Sequence, residues 1–113
     1  MNRAEALEQI VTFGTDIDKA YSELVKYSYD SDIEYFSVSP LILLQVLELY
    51  LTEQITVDDL EDWANFIECR DDLDYEEIED YIYSLANPIL VGEINQSRIA
   101  KMVEALYHPK GMN

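Results

Sequence analysis

Ser39-Pro-Leu-Ile-Leu-Leu-Gln-Val-Leu-Glu-Leu-Tyr-Leu51 is the stretch whose reading decides the fold. Ser39 suits a helix N-cap, because its hydroxyl can accept from a free backbone N–H of the first turn. Pro40 suits the first helical position, where its missing N–H would have had no partner. Between Leu41 and Leu51 only Gln45 and Glu48 are strongly polar. With Thr52 they lie three and four residues apart and make one narrow wet stripe. The rest of the helix surface is apolar, as in a helix enclosed by other elements. A central apolar helix over residues 40–52 therefore predicts an all-α bundle, and its neighbours must bring apolar stripes of their own.

Those stripes are present on both sides. Downstream, Thr56 with Asp59 makes a capping box, and Ile55 before the cap can pack on Leu60 as a hydrophobic staple. Val57, Leu60, Ala64 and Ile67, widened by Trp63 and Phe66, give an inner face that runs to Cys69 or Arg70. A similar signal starts a fourth helix at Leu73, with Asp74 as cap and Glu77 and Ile78 following; Tyr75, Ile78, Ile82 and Leu85 face inward. Asn87-Pro88 stops it, since proline disfavours helical geometry in the residue before it. Residues 88–94 read as a link, and Asn95 caps a fifth helix with Ile99, Met102, Val103 and Leu106 inward. That helix stops at His108-Pro109, and the last few residues are expected to fray. Upstream, Asn2 and Glu5 make another capping box. Leu7, Ile10, Gly14, Ile17, Tyr21 and Leu24 then mark one helical face. A single long helix to about Tyr27 is the favoured reading. A kink at Gly14, or a break with Thr15 or Asp16 as a new cap, is the alternative. Residues 28–38 are too brief in periodicity to assign, and no convincing strand is seen. About five helices in one domain, residues 1–113, are expected.

The 113 residues suffice for one core. Charge is the outlying property: 24 Asp and Glu stand against seven Lys and Arg, a net charge of −17. Such a chain repels itself, nucleic acid and anionic membranes, so its expected partner is basic. Cys69 is the only cysteine, so no internal disulfide is available. The acid-interrupted N-terminus has no signal-peptide h-region, and no apolar run reaches membrane length. A soluble cytoplasmic protein, monomeric when free, is the expectation.

Catalytic chemistry finds no constellation, and no cofactor is expected. His108 is the only histidine. A Glu104…His108 pair supplies two ligands at most, and Cys69 has neither a second Cys nor a nearby His for zinc. As a nucleophile Cys69 stands among carboxylates, which oppose a thiolate. Packing at a helix end is the better reading for it. Asp72-Leu-Asp74-Tyr-Glu76 alternates acids like a calcium loop, but Glu77 replaces the required glycine and Tyr83 the bidentate carboxylate. No enzymatic or metal site is predicted.

What remains is the distribution of charge. Between Glu53 and Asp80 thirteen carboxylates face the single base Arg70, so this span alone carries −12. An apolar stripe turned inward on each of two helices sends these acids outward. Charge kept only for solubility would be interspersed; focused charge raises the association rate with a basic partner. Nine tyrosines accompany it. Tyr21, Tyr50, Tyr75 and Tyr107 fall on or near core faces, Tyr81 and Tyr83 cannot both share the inner face of their helix, and Trp63 reads as core. Tyr29 and Tyr35 lie in the acidic 28–38 loop. Tyrosine beside carboxylates suits a surface that grips a basic protein, since it supplies contact area at low entropy cost. The expected partner-binding set is Asp58, Asp59, Glu61, Asp62, Glu68, Asp71, Asp72, Asp74, Glu76, Glu79, Asp80 and Tyr83, with Tyr29 and Tyr35. A merely solvated face is the plain alternative.

The segment Ile55-Thr-Val-Asp-Asp-Leu-Glu-Asp-Trp-Ala-Asn-Phe-Ile-Glu68, then Arg70-Asp-Asp-Leu-Asp-Tyr-Glu76, then Leu85-Ala-Asn-Pro88 resembles small, acidic, helical bacterial immunity proteins of contact-dependent inhibition and other polymorphic toxin systems. The similarity covers about half the chain. It implies a role, neutralising a cognate toxin domain, often a nuclease with a basic cleft, and no individual binding residues. A DNA mimic that inhibits a nucleic-acid-binding protein is the runner-up, and a non-catalytic helical adaptor is a further reading.

Overall fold

The computed structural model describes residues 1–108. The expected fraying of the last few residues, and Pro109 of the expected stop, lie outside them. Among the described residues the chain forms seven α-helices and one very short parallel strand pair. The helices are α1 (Arg3–Val11), α2 (Ile17–Leu24), α3 (Pro40–Leu51), α4 (Val57–Glu68), α5 (Glu79–Ala86), α6 (Pro88–Val91) and α7 (Gln96–Tyr107). The strands are β1 (Phe36–Ser37) and β2 (Leu73–Asp74), with Phe36 opposite Leu73. All but α6 place apolar side chains in one core. No described helix is long and apolar enough to cross a membrane.

Four helix starts follow from their caps. Asn2 accepts from the Glu5 N–H at 2.8 Å and Glu5 accepts from Asn2 at 2.9 Å. Thr56 and Asp59 reciprocate in the same way. Ser39 caps α3 through the Ile42 N–H, and Asn95 caps α7 through the Arg98 N–H. Helix α3 packs chiefly on α7 and also touches α4. It buries Leu43, Val46, Leu47 and Tyr50, while Leu41, Gln45, Glu48 and Thr52 form an exposed row. The apolar helix is thus enclosed on one side only, because Leu41 extends the wet stripe.

The first helix is not continuous. It ends at Val11 in a Schellman turn: Gly14 N–H donates to the Gln9 carbonyl at 2.8 Å and Phe13 N–H to Ile10 at 3.4 Å. The left-handed residue of that turn is Phe13 (φ 53°), not the glycine beside it. Thr12 secures the stop by donating its hydroxyl to the Glu8 carbonyl. The chain then re-enters as α2 after Asp16, whose N–H donates to the Gln9 side chain at 3.0 Å. The break with Asp16 at the new N-terminus therefore replaces the single long helix.

Two further elements differ from the sequence reading. Asp74 does not cap α5. It pairs in β2 and accepts from the Glu76 N–H at 3.1 Å, starting a 3₁₀ turn over Glu76–Ile78 that leads into α5 at Glu79. The link after α5 contains α6, held by Arg98. Its guanidinium donates to the Gly92 carbonyl and, at 2.6 Å, to the Ser84 hydroxyl. Gly92 has φ 147°, a backbone conformation that side-chain-bearing residues rarely adopt, so glycine is favoured there.

Candidate functional site

Helices α4 and α5 pack against one another, so the carboxylates they carry share a neighbourhood. Asp58, Asp59, Asp62, Glu68, Asp71, Glu76, Glu79 and Asp80 are exposed, and Glu61 and Asp74 are half-buried. The described residues hold three ion pairs: Arg3–Asp72, Arg70–Asp72 and Lys26–Glu23. None engages an exposed acid of the 53–80 span. Around Tyr75, burial pushes the phenol pKa up, and the carboxylates of Glu68, Glu79 and Asp71 push it further. The end of α4, the following loop and the start of α5 therefore converge there. Tyr83 stands exposed on α5, while Tyr81 packs against the core.

Asp72 departs from the expected surface. Its residue is fully buried, so it offers nothing to a partner. Two arginines clamp its carboxylate. Arg70 donates from Nε to Oδ1 at 2.8 Å and from Nη2 to Oδ2 at 2.9 Å; Arg3 donates from Nε to Oδ2 at 2.9 Å. Burial alone would raise the carboxyl pKa, but the two guanidinium groups outweigh it and hold the pKa below the ordinary value. Arg3 also donates to the Ser28 carbonyl at 2.9 Å.

The aromatic residues of the first long loop complete this knot. Tyr27 and Tyr35 lie against the Arg3 guanidinium at 4.9 and 4.8 Å, and Tyr29 and Phe66 against that of Arg70 at 5.0 and 5.2 Å. Such stacking favours a cation over a ring face. Tyr29 and Tyr35 remain exposed, so each has one face turned to the protein and area left for solvent. Backbone bonds from Tyr35 to Asp72, Asp71 to Tyr29 and Val38 to Asp74 tie the loop to the segment after α4.

Between α2 and α4 the knot borders a cavity of about 550 Å³, walled by Tyr21, Leu24, Val25, Tyr29 and Phe66 with Arg70 among its lining. Tyr21 and Phe66 meet edge to face at 6.1 Å. Tyr21 is half-exposed here rather than core, and Tyr107, also expected near the core, is exposed with its hydroxyl donating to Glu48 at 3.2 Å. Cys69 ends α4 as an exposed residue of the same cavity, not as a packing residue. Sequence reasoning missed this groove. The spacing of Phe66 on α4 and Cys69 just after it, with Tyr21 on α2 and Val25 just after it, is the signal that marks it. Among the described residues no group of three or more His, Cys, Asp or Glu is placed to hold a metal ion. No family model, curated protein or solved structure matches the chain.

Proposed function

We propose that this chain is a non-catalytic inhibitor of the immunity type, which binds a basic toxin domain, of nuclease kind, through its acidic, tyrosine-bearing surface. One observation carries the reading: the exposed carboxylates from Asp58 to Asp80 have no cationic partner among the described residues. Uncompensated like charge costs stability in the free protein, and a partner's lysines and arginines would relieve that cost. The same field speeds encounter with a cationic surface. Tyr83, Tyr29 and Tyr35 supply exposed ring area beside the acids.

The test starts from the gene immediately upstream: if it encodes a large exoprotein with a basic C-terminal domain, that domain is co-expressed with this chain. The inhibitor should restore growth and co-purify as a complex. Its affinity should fall as salt rises, chiefly through slower association. Replacing Asp58, Asp62, Glu79 and Asp80 by their amides should slow association likewise. A tight complex indifferent to salt and to those substitutions would overturn the mechanism, and no complex would overturn the assignment.

A further inference from the structure

Helix α6 turns its apolar side chains away from the core. Ile89 is 98% exposed, Leu90 75% and Val91 44%, and the helix buries no residue at all. The turn that carries them is firmly held. The Leu90 and Val91 N–H groups donate to the Asn87 carbonyl at 3.1 and 3.0 Å, and the Gly92 N–H to that of Pro88 at 2.9 Å. The Asn87 side chain donates to the Tyr83 carbonyl at 2.9 Å, and Arg98 braces Gly92 and Ser84 from α7. A turn fixed in this way loses little further freedom when something covers it. Its three consecutive apolar residues expose on the order of 400 Å² together, the size of patch that marks a contact site.

Charge decides between occupants. From Tyr81 to His108 two acids, Glu93 and Glu104, are balanced by two bases, Arg98 and Lys101, so the acid excess lies entirely in the first 80 residues. This end therefore lacks the pull on a basic partner that α4 and the start of α5 exert. A second copy of the chain can approach here without setting like charges against each other, since exposed Glu93 and Lys101 bring both signs. Glu79 and Asp80 stand at the far end of α5, about 12 Å away at 1.5 Å per residue. That exceeds the Debye length of about 8 Å at physiological salt. We propose that α6 is a self-association site, at which two copies bury Ile89, Leu90 and Val91 against one another about a two-fold axis. The site goes beyond the inhibitor reading and does not depend on it. Pairing the two patches buries on the order of 800 Å², about half of a standard interface, so the dimer is weak and forms only at high concentration.

Sedimentation equilibrium on the full chain from about 10 μM to about 1 mM should show the average mass rising toward twice the monomer value, the range expected of a small interface. Raising salt should strengthen the dimer by screening the residual repulsion between two acid-rich bodies, the opposite sign to the toxin complex. Ile89→Ser combined with Leu90→Ser removes exposed apolar area without changing charge. It should weaken association about tenfold or more and leave the circular dichroism spectrum unchanged. Val25→Ser, at an exposed valine just after α2, should leave association as it was. A chain that stays monomeric at about 1 mM overturns the proposal. So does a dimer that survives the double variant, that Val25→Ser weakens as much, or that dissociates as salt rises. Each of these results leaves the inhibitor reading standing, because that reading rests on the acidic surface.

Discussion

Replacing Asp72 by Asn should cost this protein a large part of its stability. The side chain is the common acceptor of three N–H···O bonds of 2.8–2.9 Å from two arginines. The Arg70 side chain is 4% exposed and that of Arg3 14%, so water cannot take over the lost partner. Removing one member of a buried ion pair costs about 3–5 kcal/mol. The partial exposure of Arg3 and the surviving amide oxygen place this case at about 3–4 kcal/mol. With an unfolding entropy of about 2.1 cal/mol/K per residue, the 113-residue chain should lose about 13–17 °C in Tm. Thermal denaturation followed by far-UV circular dichroism at pH 7 measures it. The pH dependence adds a second reading. The folded carboxyl pKa lies below the unfolded value of about 3.9, so the stability it contributes is fully present above that value. It is lost as pH falls through the folded pKa, and the gap between wild type and variant should close below about pH 4. A Tm loss under about 4 °C at pH 7, roughly 1 kcal/mol, would refute the view that this knot holds the fold together.

Three other outcomes follow from local geometry. Glu53 occupies the left-handed position after α3 (φ 63°), with Gln54 N–H donating to Leu49 and Glu53 N–H to Tyr50; Glu53→Gly should raise Tm by about 4 °C, since left-handed geometry costs a side chain roughly 1 kcal/mol. Trp63 is buried and donates from Nε1 to the Val11 carbonyl at 2.9 Å; Trp63→Phe should cost about 1–3 kcal/mol in urea denaturation by leaving that carbonyl unpaired. Burial, and then Asp62 for Tyr21 or Glu68, Glu79 and Asp71 for Tyr75, raise those phenol pKa values above 10.0. Their contribution to stability is present below the unfolded phenol pKa of about 10 and disappears as pH rises through the folded values. A titration of tyrosinate absorbance should therefore show a late-ionising fraction that vanishes in denaturant; a single transition at the unfolded position would contradict it.

What the sequence made legible was local. The caps at Asn2, Ser39, Thr56 and Asn95 each use a partner three residues away, so the order of side chains along the chain was enough to find them. The stop of α1 was harder, because the left-handed residue is Phe13 and glycine next door drew attention to itself. The repeated device of threonine one residue before the left-handed position, Thr12 before Phe13 and Thr52 before Glu53, is the cue that was available. Asp72 was illegible as an internal residue. Its environment depends on Arg3, 69 positions away, and among neighbouring acids nothing in spacing distinguishes it. The β1–β2 pairing escaped for the same reason: two residues per strand leave no periodicity to detect.

The salt-bridged knot also ties the first turn of the chain to its middle third. Helical turns close from neighbours, but the Arg3–Asp72 contact must enclose most of a chain's length before it stabilises anything. Contacts of such span come late and slow the approach to the native state. Arg70 holds the same Asp72 carboxylate from two residues away and also lines the groove, so the long-range contact and the groove wall meet at one side chain.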